Sequence, residues 1–227
     1  QTLAAQRDRM MKLSESQVLV TDEKTRLKVT AGDLSLLFGK SDGLLSSVSL
    51  RAKPISFSNG PRFFASATQT VKQEQGKGKK PNSVLAMLDL SGSNTVSRLT
   101  HRMDGANAVI EVTYEGTLQS TRWTIQPTGG IKMKYTYKLE HTCDLAGVQF
   151  DYPEIQMKLV RWLGKGPYRV WKNRLKGTRW DVWQNAYNDA LPGEDWEYPE
   201  FKGYFGDWLW ATFETTEGTV TFMNEAE

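Results

Sequence analysis

The chain of 227 residues is long enough to bury a core as one large all-β domain or two small ones, and 39% hydrophobic with 24% charged residues is an ordinary globular balance. A net charge of +3 argues against a nucleic-acid or anionic-membrane binder, and the lack of any 18-residue apolar run excludes a membrane-spanning helix. Cys143 stands alone, so no intrachain disulfide is possible, and no Cys/His spacing suggests zinc; neither metal nor cofactor is expected.

Residues 1–16 begin with good helix formers and read as a helix or tether outside the core. The first residue is Gln1 and no leader pattern follows, so the chain is expected to be processed or excised from something longer. From Gln17 the hydrophobic period becomes two. Leu34, Leu36 and Phe38 alternate, Lys40-Ser41-Asp42-Gly43 supplies a turn, and Leu44 to Leu50 resumes. The stretch 73–82 is polar, Gly-rich and charged, and reads as a solvated loop. Val109 to Tyr114 and Thr117 to Gln126 carry weaker strand signals. The clearest runs from Ile131 to Leu139, apolar at odd and polar at even positions, which predicts one buried and one wet face. Ile155 to Val160 repeats the signal. Many short strands with regular Gly turns predict an all-β sandwich spanning 17–227.

Seven of the eight tryptophans fall between Trp162 and Trp210. Such a segment is either an aromatic core corner or a surface for sugar rings, which pack a C–H face on an indole and need polar partners at the rim. Trp208 and Trp210 share a strand face by period two and read as core. Trp162, beside Gly164 and Gly166, reads as the packing anchor of a tight turn. Trp180, Trp183, Trp196 and Tyr198, with Arg174 and Asn185 among them, carry the chemistry of sugar contact.

The string Trp162-Leu163-Gly164-Lys165-Gly166-Pro167, followed by Asn173-Arg174, resembles the pattern W-x-G-x-G-P-x-E-N-Y-x-D-R of family 2 glycoside hydrolases. That pattern belongs to the C-terminal β-sandwich of the large bacterial β-galactosidases. Gly32 to Phe38 with Ser41 to Leu45 looks like that domain's opening hairpin, and Tyr198-Pro199-Glu200 looks like its downstream continuation. The resemblance covers about 18–222 and implies an antiparallel β super-sandwich of the galactose mutarotase-like kind. It departs at one place: Arg169-Val170-Trp171 stands where the pattern has Glu-Asn-Tyr, and Asn173 replaces its Asp. A carboxylate has become a guanidinium, so galactose specificity does not carry over.

Retaining hydrolysis needs two carboxyl groups about 5–5.5 Å apart. The resemblance implies that both come from a separate (β/α)₈ barrel, and this chain has no alternating β/α pattern. Asp181, Glu194, Asp195, Glu197, Glu200 and Asp207 are the substitutes at hand, and acids in such a loop are ordinarily solvated or paired; no catalytic residue is expected here. The expectation is therefore a non-catalytic domain that buttresses the barrel of its parent chain and lines part of the cleft, with carbohydrate as ligand. The resemblance implies a periplasmic or extracellular setting. An end at Thr221 to Glu227 is expected to leave the sandwich C-terminally incomplete, with an open sheet edge that favours self-association into a homo-oligomer. Two alternatives stay open: an independent carbohydrate-binding module, and an aldose-epimerase-like enzyme needing both His101 and His141.

Overall fold

The computed structural model describes residues 17–71, 82–88, 95–140, 142–169, 176–187 and 205–225. The helix or tether read over 1–16 lies outside these residues, as does most of the loop read over 73–82. Among the described residues the chain is all-β, with antiparallel pairing throughout and no α-helix. It divides into two compact units, Gln1–Tyr152 and Pro153–Glu227.

The N-terminal unit is a sandwich. Strands β1 (Val18–Asp22), β2 (Arg26–Ala31), β3 (Leu34–Gly39), β4 (Leu45–Leu50), β5 (Lys53–Ile55), β6 (Ser58–Val71) and β7 (Asn82–Met87) build most of the first sheet. Strands β8 (Thr95–Asp104), β9 (Asn107–Glu115), β10 (Leu118–Ile125) and β11 (Ile131–Tyr137) form a meander, the second sheet, in the order β11-β10-β9-β8. The chain then returns as β12 (Leu145–Asp151) to complete the first sheet, ordered β1-β2-β3-β4-β6-β12 with β5 on β4 and β7 on β6.

Alternation decides which side chains go inside. In β2, Leu27 and Val29 are buried while Arg26 and Lys28 are exposed. Leu27, Leu36 and Phe38 from the first sheet join Ile110, Val112 and Trp123 from the second in one buried cluster. Each such side chain stabilises the fold by about 1.5–3 kcal/mol relative to exposure. Phe38 meets Trp123 edge to face, with ring centroids 5.3 Å apart. The predicted turn at 40–43 forms: Gly43 adopts φ +68°, and the Leu44 N–H donates to Asp42 Oδ1 at 3.0 Å. Glycine is required there twice over, because a Cβ would also lie 2.7 Å from the Tyr114 hydroxyl oxygen.

The strongest alternation in the sequence does not produce a buried strand. Ile131, Tyr135 and Tyr137 of β11 are all exposed, and Met133 is only part-buried. They lean to the core side, opposite the buried Ile125, Thr121 and Leu118 of β10, and Tyr137 reaches Phe63 with centroids 4.8 Å apart. But β11 ends its sheet, so the inward-leaning face lacks neighbours on one side. Period two reports orientation; strand order decides burial.

The C-terminal unit holds one four-stranded sheet: β13 (Met157–Gly166), β14 (Arg179–Ala186), β15 (Trp210–Thr215) and β16 (Thr219–Met223), ordered β14-β13-β15-β16. The strand read as Ile155 to Val160 starts later. Pro153, with φ −64°, instead leads into a 3-10 turn over Glu154–Gln156, and β13 then runs on through Gly166.

Candidate functional site

The glycine-rich string is a strand rather than a tight turn. Its even positions, Trp162, Gly164 and Gly166, fall on one face of β13, and that face is the packed one. Trp162 is an anchor, as expected: it is 1% exposed, its indole N–H donates to the Lys165 carbonyl at 3.1 Å, and its ring lies 4.3 Å from that of Phe205.

The two glycines are gaps for other groups. A Cβ on Gly164 would sit 2.7 Å from the Trp208 Cα, so the bare position admits the backbone of the incoming segment. That segment is tied by Lys165 N–H to the Gly206 carbonyl at 3.1 Å and Leu209 N–H to the Leu163 carbonyl at 2.8 Å. Asp207 turns the chain at φ +50°, and its carboxylate pairs with the Lys165 ammonium at 2.5 Å. A Cβ on Gly166 would sit 2.5 Å from Trp183 Cδ1, so the Trp183 ring occupies that space.

Trp183 is thereby committed to the packed face. Its N–H is shared between the Gly164 carbonyl at 3.1 Å and the Arg179 carbonyl at 3.3 Å. The Arg179 guanidinium lies 5.2 Å from the ring centroid, a cation–π contact. Asn185, on the same face, is buried, and its Nδ2 donates to the Pro167 carbonyl at 3.3 Å, beyond the cis Gly166–Pro167 bond.

Arg169, the residue that departs from the family pattern, has a role a glutamate could not fill: its guanidinium lies 5.3 Å from the Phe205 centroid. Burial pushes the Tyr187 hydroxyl above its ordinary pKa, the Glu154 carboxylate adds to the rise, and Arg169 opposes it. Tyr187 is thus a neutral hydroxyl at physiological pH.

The opposite face of the sheet is open. Across all four strands runs the register Val182–Leu163–Trp210–Met223, with Val182 43% and Met223 68% exposed. Trp180, half exposed, flanks that row opposite Lys165. On the other side lies a polar row, Gln184–Arg161–Thr212–Thr221, in which the two threonine hydroxyls are 3.0 Å apart. No side chain of these two rows is buried.

The sequence-predicted sugar contacts therefore separate. Trp180 and Trp183 are three residues apart on one strand and lie on opposite faces, Trp183 with Asn185 and Trp180 with Val182. Trp196, Tyr198 and Arg174 lie outside the described residues. Trp208 and Trp210, read as core, are only part-buried; Trp208 precedes β15, so they do not share a strand. Asp181 accepts from the Val182 N–H at 2.8 Å and is exposed, and Glu194, Asp195, Glu197 and Glu200 lie outside the described residues. His101 is exposed on β8, and His141 lies outside the described residues. Among the described residues no cluster of three His, Cys, Asp or Glu could hold a metal.

Residues 30–226 match the family of the beta galactosidase small chain. The chain belongs to that family. No curated protein matches it. As a member of the beta galactosidase small chain family the chain is a glycoside-hydrolase-associated β-sandwich domain, and the glycine string lies within the matched span as strand β13. Phe205 and Arg179, which complete the packed face of this small-chain domain, are not singled out by sequence reasoning. Their only signal was a phenylalanine and an arginine at ordinary spacing from two tryptophans, and pairing across strands was needed to join them.

Proposed function

We propose that this chain is the non-catalytic β-sandwich of a glycoside hydrolase, that it buttresses the catalytic (β/α)₈ barrel of its parent, and that its aromatic segment walls part of the substrate cleft. The observation that carries the reading is the construction of the aromatic segment. Trp162, Gly164, Gly166 and Trp183 spend their packing and hydrogen bonds on fixing a rigid sheet, while Trp180 is left half exposed with its indole N–H unpartnered among the described residues. A rigid frame with a free aromatic at its surface suits a wall that positions a sugar ring. In this reading Trp180 touches carbohydrate, Trp183 and Asn185 hold the frame, and Trp196, Tyr198 and Arg174 extend the contact. The small-chain family match supports the parent enzyme class.

The test is complementation. The chain is coexpressed with the barrel-bearing part of a β-galactosidase that lacks its own small-chain domain, and hydrolysis of an aryl β-galactoside is followed. The chain alone should hydrolyse nothing, and the mixture should gain activity, with Trp180→Ala lowering kcat/KM by about tenfold, equivalent to about 1.4 kcal/mol. Hydrolysis by the chain alone, or no gain on mixing, overturns the proposal.

A further inference from the structure

The open face of the C-terminal sheet has a feature that buttressing does not require. Arg161 is exposed at the middle of the polar row, between Gln184 and Thr212, and its side chain makes no hydrogen bond or ion pair among the described residues. A guanidinium presents five donors in a planar fork that matches a carboxylate. Among the described residues, the acid nearest it along this face is Glu214, placed two residues beyond Thr212, the residue opposite Arg161, and the two form no ion pair. Trp210 is diagonal to Arg161 across β13 and β15, a placement about 7–8 Å apart and within reach of long and aromatic side chains. Trp180 lies two strands and two residues from Trp210, about 10 Å sideways and about 7 Å along. Neither indole N–H has an acceptor among the described residues. Two indoles that are not buried, a guanidinium unpaired among the described residues and a row of uncharged donors and acceptors on one sheet face make a surface for linked sugar rings that carry negative charge.

We propose that this face binds an acidic glycan, a linear chain bearing uronate carboxylates, with Arg161 paired to a carboxylate and Trp210 and Trp180 supporting successive rings. The site lies on the opposite face of β14 from Trp183, and from the function proposed above it takes the glycan setting and the sugar contact at Trp180. Glu214 sets its selectivity by competing for Arg161 and repelling a carboxylate placed too far along the sheet.

The 227-residue chain is titrated by calorimetry with α-1,4-tetragalacturonate, β-1,4-galactotetraose and tetraglutamate. Tetragalacturonate should bind with a Kd about tenfold or more below that of galactotetraose, the size of one charge-assisted pair. Arg161→Gln should erase that difference, Arg161→Lys should keep part of it, and Glu214→Gln should tighten tetragalacturonate alone. Circular dichroism of each variant confirms the fold, which substitution of exposed side chains should leave intact. Equal affinity for the two sugars, or an Arg161→Gln variant that binds tetragalacturonate as well as the parent, overturns the acidic platform and leaves a neutral-sugar wall standing. Equal binding of tetraglutamate overturns the glycan part of the proposal. Binding of none of the three overturns it entirely, while the complementation experiment still decides the buttressing role.

Discussion

In the N-terminal unit two sheets bury aliphatic side chains against each other, and Leu27, Val29, Phe38, Ile110 and Ile125 lose all contact with water. In the C-terminal unit a single sheet packs a tryptophan and two glycines on one face, beneath Trp183, Phe205 and the Trp208 backbone, and leaves its other face open. The first unit is held by area removed from water. The second depends on fit, because a glycine position filled by another group tolerates no addition.

The largest effects should come from removing one anchor in each unit. Phe38→Ala and Trp162→Ala should each cost about 3–5 kcal/mol, since both delete a fully buried ring. Urea unfolding measures the loss, and hydrogen exchange in β3 or β13 locates it. A Trp162→Ala variant as stable as the parent would mean that the C-terminal sheet does not rest on this anchor.

The next comparison separates fit from area. Gly164→Ala should destabilise by about 1–3 kcal/mol, because the obstructing atom is backbone and cannot swing aside. Gly147→Ala in β12 meets only ordinary contact with the Phe64 ring at 3.5 Å and should be neutral or stabilise by up to about 1 kcal/mol. Paired thermal melts check both. Equal melting temperatures would remove the distinction between the units.

The smallest effect is a pH dependence within the sandwich. Burial raises the Tyr114 pKa above 10.0, and its hydroxyl donates to the Gly43 carbonyl at 3.4 Å. The folded state thus holds this proton more tightly than the unfolded chain. Its contribution is complete below pH 10.0 and is lost as pH rises through the folded value. Tyr114→Phe should flatten the fall in stability above that pH while changing neutral-pH stability by about 1 kcal/mol or less. A parallel fall in both proteins would assign the alkaline loss to other groups.

Much of the fold was legible in the sequence because strands, turns and inward faces are local properties. The alternation of Leu34, Leu36 and Phe38, the turn ending at Gly43 and the motif around Trp162 each sit in a few consecutive residues, and they sufficed for an antiparallel all-β domain of this family. What only the tertiary structure decided was which strands lie at the ends of sheets and what stands opposite each face. Ile131 to Tyr137 alternate as well as any buried strand, yet they are exposed because β11 has a neighbour on one side only. Trp180 and Trp183 look alike in composition, yet one half-turn of the pleat puts the second over Gly166 and the first in water. Burial and partnership are set by groups distant in the chain, and no local pattern carries that information.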